Sequence, residues 1–321
     1  MTAILGIDVA KNKLDVALFR NDKYKTKSFE NKPAGFETLA AWLARHEVVS
    51  VHACMEATGS YGDSLARFLF EAGHKISVVN PARIKAYGES ELLRTKTDKT
   101  DARLIARFCE ALKPAAWQPD PPEVEHLRML GRRRDALISM RTQEVNRLGS
   151  PDASVNESVQ KVIAFLDGEI EQISKAIREH INKHDGLRKK RDLLNSIPGV
   201  GYVTIEAILS EANGFEGFDT VEQVVAFMGL SPKERTSGSS VKGKASICKI
   251  GSARLRKVLY MPTLSAIQHN PFVTALYDRL VAKSKNGMIV ACACMKKLVH
   301  IIYGVIKNGK PFNPAYNIKT A

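Results

Sequence analysis

Residues 113–122 read Lys-Pro-Ala-Ala-Trp-Gln-Pro-Asp-Pro-Pro. Proline has no amide proton to give to a helix or a sheet ladder, and its ring keeps the preceding residue out of helical backbone. Four prolines in ten residues therefore exclude a regular element here. The chain must fold in parts on either side of this break. Its 321 residues suffice for two domains, or for one with a long insertion.

Upstream of the break the pattern is mixed. Ile4 to Val9 is an apolar strand interrupted by Asp8, and residues 10–13 read as a turn into a second strand, Leu14 to Phe19. Pro33 to Arg45 has helical periodicity, Val48 to Met55 is a β-branched run ending at Glu56, and Thr58-Gly59-Ser60 is placed to cap a helix through Ala72. Ile76 to Val79 reads as a strand closed by Asn80-Pro81, and 98–112 as a helix. Hairpin, helix, strand, helix, strand, helix predicts an α/β domain over residues 1–113.

Downstream the pattern is helical. A long helix is expected over 123–148, stopped by Gly149-Ser150-Pro151. A second follows, with Val159, Ile163, Leu166, Ile170, Ile173 and Ile177 on one stripe, at the alternating spacing of a coiled coil. The stripe suits either a seam between two chains or an antiparallel hairpin within one. Residues 114–192 are read as this linker and helical segment. Residues 193–321 are read as a mainly α domain, with helices over 204–212, 221–228, 253–268, 272–282 and 288–307 and a Ser/Gly/Lys loop over 229–251.

Charge separates the two ends. The chain carries 48 Lys/Arg and 34 Asp/Glu, net +14. Residues 231–321 hold 16 Lys/Arg against two acids, Glu234 and Asp278, so the whole excess lies there. That asymmetry predicts a polyanion partner, because each cation near a phosphate releases condensed counterions. No apolar run reaches the length of a membrane span, and Asp8 and Lys11 come too early for a signal peptide, which places the protein in the cytoplasm. Five cysteines without a CxxC pair argue against disulfides and zinc, and His180 and His184 read as a solvated helix face.

Three constellations carry chemistry. The first is acidic: Asp8, Glu56, Asp98 and Asp101. A lone carboxylate in an apolar strand is costly unless paired or bound to a cation. Asp98 and Asp101 share one face at a helix start, where negative charge is favoured. Four carboxylates suit hard divalent cations, Mg²⁺ or Mn²⁺, and a two-metal arrangement serves phosphoryl transfer. The second is Arg235-Thr-Ser-Gly-Ser-Ser-Val-Lys-Gly-Lys244, a serine loop ringed by Arg235, Lys242, Lys244, Lys249, Arg254, Arg256 and Lys257. With no histidine beside it, such a serine suits attack on a phosphodiester better than on an acyl group. The third is Ile197-Pro-Gly-Val-Gly201, where Gly199 and Gly201 can turn backbone amides toward a phosphate, as in a helix-hairpin-helix.

Together these residues resemble the DEDD transposases of the insertion sequence 110 family, whose members include Piv-type DNA invertases and bridge-RNA-guided recombinases. The resemblance rests on Gly6-Ile-Asp-Val-Ala-Lys11, Met55-Glu-Ala-Thr-Gly59, Lys96-Thr-Asp-Lys-Thr-Asp-Ala102, Ile197-Pro-Gly-Val-Gly201, Ser237-Gly238, Ile250-Gly251 and Leu255-Arg256, and covers nearly the whole chain. It implies a RuvC-like, RNase H-like N-terminal domain whose Asp8, Glu56, Asp98 and Asp101 bind Mg²⁺. It also implies a nucleophilic serine, matched to Ser237, with Ser239 and Ser240 close by. Its further implications are a serine–DNA covalent intermediate, a structured guide (bridge) RNA, and a homodimer with a higher, tetrameric assembly on two DNA partners at the bacterial nucleoid. Two rival readings remain from the residues alone: a structure-selective Mg²⁺-dependent nuclease, and a non-catalytic nucleic-acid-binding module.

Overall fold

The structure is a computed structural model describing residues 3–57, 59, 61–91, 98–150, 152–233, 236–237, 241–242 and 246–316; side chains of 98, 99, 236, 237, 241 and 242 lie outside that description. The chain forms two compact units, Met1–Pro119 and Asp120–Ala321.

The first unit is built on a five-stranded sheet of β1 (Ala3–Val9), β2 (Lys13–Arg20), β3 (Lys23–Glu30), β4 (Val51–Glu56) and β5 (Lys75–Val79), in the order β3-β2-β1-β4-β5. β1, β2 and β3 are antiparallel neighbours, while β4 runs parallel to β1 and β5 parallel to β4. The parallel strands are joined through α1 (Pro33–Arg45) and α2 (Asp63–Glu71). These helices pack Phe36, Leu39, Leu65 and Leu69 on one face of the sheet, against Leu5, Ile7, Leu14 and Val16. The other face is covered by α3 (Pro81–Ser90) and α4 (Asp98–Leu112), with Ile84, Ile105, Phe108 and Cys109 around Cys54. A mixed sheet covered on both faces, followed by a mostly helical remainder, fits the RNase H-like fold.

Three local expectations are corrected. β3 reads Lys-Tyr-Lys-Thr-Lys-Ser-Phe-Glu, too polar to register as a strand, because it is the sheet edge and keeps its lysines in water. Asn80-Pro81 does not merely close β5. Asn80 accepts from the amide of Ala82 and proline occupies the first helical position, so the pair opens α3. The cap of α2 is Gly62, with no side-chain cap bond, rather than the 58–60 segment, whose Thr58 and Ser60 lie outside the described residues.

The proline segment is extended and tied to the sheet. Ser77 Oγ donates to the carbonyls of Pro114 (3.0 Å) and Ala115 (2.7 Å), and the Trp117 amide donates to Ile76. Pro121 and Pro122 then start α5 (Pro122–Val145).

In the second unit α5 returns through a short connection into α6 (Ala153–Lys183), and Arg141–Asp167 and Glu123–His180 contacts set the pair antiparallel. On the expected stripe Val159, Leu166 and Ile177 are buried, so it faces α5 within the chain. His180 is not a solvated residue. Its Nε2 meets the Glu123 carbonyl at 2.8 Å, its ring makes tilted contacts with those of His126 and His184, and burial pushes its pKa down.

The remaining helices are α7 (Asp185–Asn195), α8 (Tyr202–Ala212), α9 (Val221–Phe227), α10 (Ala253–His269), α11 (Pro271–Val281) and α12 (Gly287–Asn308). They share a core with the base of the hairpin, through Leu127, Ile181, Ile208, Leu259 and Leu298. By length and composition α12 could cross a membrane, but it carries Lys296 and Lys297 and buries Cys294, Leu298, Val299 and Ile302 in that core.

Candidate functional site

Strand register decides which side chains share a face, since residues directly opposite on paired strands point the same way. Asp8 is paired with Asp15, and Asp15 with Ser28. The parallel register that aligns Ile7 with Met55 puts Glu56 beside Asp8 at the next step. Ser28, Asp15, Asp8 and Glu56 therefore form one polar row across four strands, each about 4.8 Å from the next.

Helix α4 points its N-terminal end toward the same end of the sheet. It crosses the sheet over Gly6, where an added Cβ would overlap the Ala102 carbonyl and lie 2.9 Å from the Ala106 methyl. Cys109, near the helix end, approaches the His52 carbonyl at the start of β4. The helix thus runs opposite to β1 and β4, and its first turn, Asp98 to Asp101, lies at the strand ends that carry Asp8 and Glu56. Asp101 is half-buried; the side chain of Asp98 lies outside the described residues. Gly6→Ala should consequently shift α4 and cost about 3 kcal/mol, the upper end of overpacking effects, read as a lower melting temperature.

Asp15 gave no sequence signal, because Lys13-Leu-Asp-Val alternates like any half-buried strand. It is 5% exposed, accepts a hydrogen bond from Ser28 Oγ, and pairs with Lys13 Nζ at 2.8 Å. The polar row therefore holds a compensated carboxylate directly beside Asp8.

The donors at this edge are carboxylates. The thiol on the same face, Cys54, is kept protonated by its hydrogen bond with Cys109 and by burial. An all-carboxylate donor set suits a hard divalent cation better than zinc, whose sites favour Cys and His. Among the described residues no three acidic, His or Cys side chains close into a metal cluster, so the fit rests on donor type and placement.

The serine loop is not irregular throughout. It contains two nested antiparallel pairs, β6 (Pro232–Lys233) with β9 (Ser246–Ile247) and β7 (Thr236–Ser237) with β8 (Val241–Lys242). Ser237 sits opposite Val241, next to residues 238–240 that join the inner pair. Side chains of Ser237 and Lys242, and all of Arg235, Ser239, Ser240 and Lys244, lie outside the described residues.

The base of this arm is pinned. The Ser252 amide donates to Phe227, and Arg256 Nη1 donates to the Met228 carbonyl at 3.1 Å. Gly251 has φ +141°, and a Cβ there would meet the Gly229 amide at 2.8 Å, which is why glycine stands in Ile250-Gly251.

The expected basic ring divides in two. Lys249 and Lys257 are exposed. Arg256 anchors the arm through backbone carbonyls. Arg254 turns inward, to Asp135, Glu206 and Glu211. Gly199 has φ +93° and packs on Ala266, where a Cβ would lie 2.8 Å away, so its glycine is required by the fold. Gly201 is the N-cap of α8, with open space around it.

A profile described as "Transposase" matches residues 5–150, and one described as "Transposase IS116/IS110/IS902 family" matches residues 191–278. The chain is 31% identical to the pilin gene-inverting protein of Moraxella bovis, over 96% of this chain and 97% of that protein. It is 23% identical to the transposase for insertion sequence element IS1111A of Coxiella burnetii, over 94% of this chain and 89% of that protein. Thermus thermophilus RuvC in complex with a Holliday junction substrate aligns with 36% of this chain and 99% of its own, at 14% identity and a TM-score of 0.27. The identity and coverage of the inverting protein, together with both profiles, establish that the chain belongs to the IS110 family of DEDD transposases.

Proposed function

We propose that this transposase cuts and rejoins DNA through a serine–DNA intermediate, with Asp8, Glu56, Asp98 and Asp101 holding Mg²⁺ (or Mn²⁺). The carrying observation is the polar row of Asp8 and Glu56 at the sheet end where α4 begins. The cation, when bound, supplies positive charge to the phosphate oxygens and stabilises the charge that develops there.

The chain's own part is as follows. Ser237 Oγ forms a bond to phosphorus as a bond from phosphorus to a DNA oxygen breaks, and the serine proton ends on the departing oxygen. The reverse attack, by a hydroxyl of a second DNA end, restores a phosphodiester and the free serine. No external energy source enters, because one phosphoester is exchanged for another. Lys249 and Lys257, with the other exposed cations of residues 231–321, hold the DNA backbone.

The reading includes a structured guide RNA and a homodimer, with a tetramer on DNA as its larger assembly. Exposed Val145, Leu148, Val155 and Val162 around the α5–α6 connection support pairing of two chains there. Site-specific inversion is the second form of this reading, favoured by the higher identity to the Moraxella pilin gene-inverting proteins (31%) than to the Sinorhizobium fredii and Coxiella burnetii transposases (23%).

Trapping tests the serine step. Incubation with Mg²⁺ and DNA carrying the element end should give a protein–DNA adduct that survives denaturation. Ser237→Ala should lose it, and Ser239→Ala and Ser240→Ala should keep it. Cleavage that proceeds with no adduct in any variant would make the protein a hydrolytic nuclease.

A further inference from the structure

The N-terminal unit has a second charged site, away from the carboxylate row. A cleft of about 400 Å³ is lined by Arg20 from β2, Lys23 and Lys25 from β3, and Arg45, His46 and Glu47 at the end of α1. Arg20 Nη1 donates to the His46 carbonyl at 2.9 Å, tying the helix end to the strand end. Lys25 Nζ lies 3.1 Å from His46 Nδ1. Glu47 is the acid in the wall, and Asp22 stands in the adjoining β2–β3 turn. Among the described residues, no ion pair joins a carboxylate to Arg20, Lys23, Lys25 or Arg45. Other cations of this unit do meet acids, as in Lys13–Asp15, Lys32–Glu30 and Arg107–Glu91.

Edge protection accounts for lysines on β3. It does not account for Arg20 on the inner strand, or for Arg45 arriving at the same cleft from a helix. Four cations line this cleft, Arg20 held there by the His46 and Glu47 carbonyls, and together they make a site for an anion. Lys23 and Lys25 alternate along one face of a strand, about 6.7 Å apart. That repeat suits consecutive phosphates of a nucleic-acid strand.

Location says which strand it is not. Leu18, Arg20, Lys23 and Lys25 lie on the α1 face of the sheet, whereas Asp8, Asp15 and Glu56 lie on the α4 face. Along β2 the cleft is at the Arg20 end, and the acidic row is at the Asp15 end.

We infer that this cleft binds the phosphodiester backbone of a second nucleic-acid segment, separate from the strand attacked at the carboxylate row. The inference uses neither Ser237 nor the carboxylates, so its failure and that of the proposed chemistry are read separately.

The test is a salt titration of binding by full-length protein, with a 30-base-pair DNA duplex and a 30-nucleotide RNA hairpin as probes. Lys23→Gln/Lys25→Gln should weaken binding of at least one probe about tenfold. It should also flatten the slope of log affinity against log salt by roughly 1.4–1.8, two contacts' worth, with unchanged melting temperature. The probe affected identifies the segment as DNA or RNA, and an effect on both assigns the cleft to backbone shared by the two. Arg45→Gln alone should give about half the slope change, and decides the matter if the double variant unfolds. Unchanged affinity and slope for both probes would overturn the inference.

Discussion

Asp8→Ala should reduce recombination by at least about 10³-fold, while the protein stays folded and still binds DNA. Asp8 sits at the centre of the polar row, with Asp15 on one side and Glu56 on the other, and under the proposed function a divalent cation held there would stabilise charge on the phosphate. Removing one ligand of such a site removes an interaction needed in the transition state, so the loss falls on the rate of cleavage. The alanine also relieves repulsion among neighbouring carboxylates, so the metal-free melting temperature should hold or rise. Calorimetric Mn²⁺ titration provides a readout independent of activity. Affinity should fall in Asp8→Ala and in Asp101→Ala, and DNA affinity in low metal should not. Undiminished Mn²⁺ affinity in a variant with all four acids replaced by alanine would remove the assignment. Persistence of recombination in Asp8→Ala would do the same.

What was legible in the sequence follows from how local each signal is. β1, β2, β4 and β5 announce themselves because buried strands are runs of apolar residues, and Asp8 stands out as the exception within one. The start of α4 is legible because Asp98 and Asp101 fall at a helical spacing before a helical stripe. β3 escapes notice since an edge strand exposes one face and needs only Phe29 for its core contact. Gly6 has an unremarkable sequence context; its need for glycine comes from Ala102 and Ala106, about a hundred positions later, crossing over it. Asp15 is invisible for the same reason, because its partners are supplied by the register of three strands.

Arg254 shows the opposite failure, a strong local signal with the wrong meaning. In sequence it stands among Lys249, Arg256 and Lys257 and reads as one more DNA-facing cation. Its partners Glu206 and Asp135 are 48 and 119 residues away. A cluster of like charge in sequence says nothing about a carboxylate that arrives from another helix.

That carboxylate carries the largest stability effect expected in the second unit. Glu206 lies on α8 and is fully buried, bonded to Arg134 of α5 at 2.5 Å and to Arg254 of α10 at 3.2 Å, with Ser210 Oγ donating to it at 3.1 Å. Gly131 makes room for it; a Cβ at that position would overlap Glu206 Oε1 and lie 2.9 Å from Arg254 Nη2. One carboxylate thus joins three helices, and each guanidinium is buried or nearly so. Glu206→Ala leaves both arginines desolvated without their shared acceptor, and breaking such a pair costs about 3–5 kcal/mol. For a unit of this size that corresponds to a fall in melting temperature of roughly 10 °C. Arg254→Ala should likewise lower the melting temperature, since it leaves Glu206 with one cationic partner, Arg134, instead of two, and it should leave the salt slope of DNA binding unchanged. Lys257→Ala should do the reverse, flattening that slope by about 0.9 with the melting temperature held. A flattened slope in Arg254→Ala at full stability would return that arginine to the DNA-binding surface, and with it the meaning the sequence first suggested.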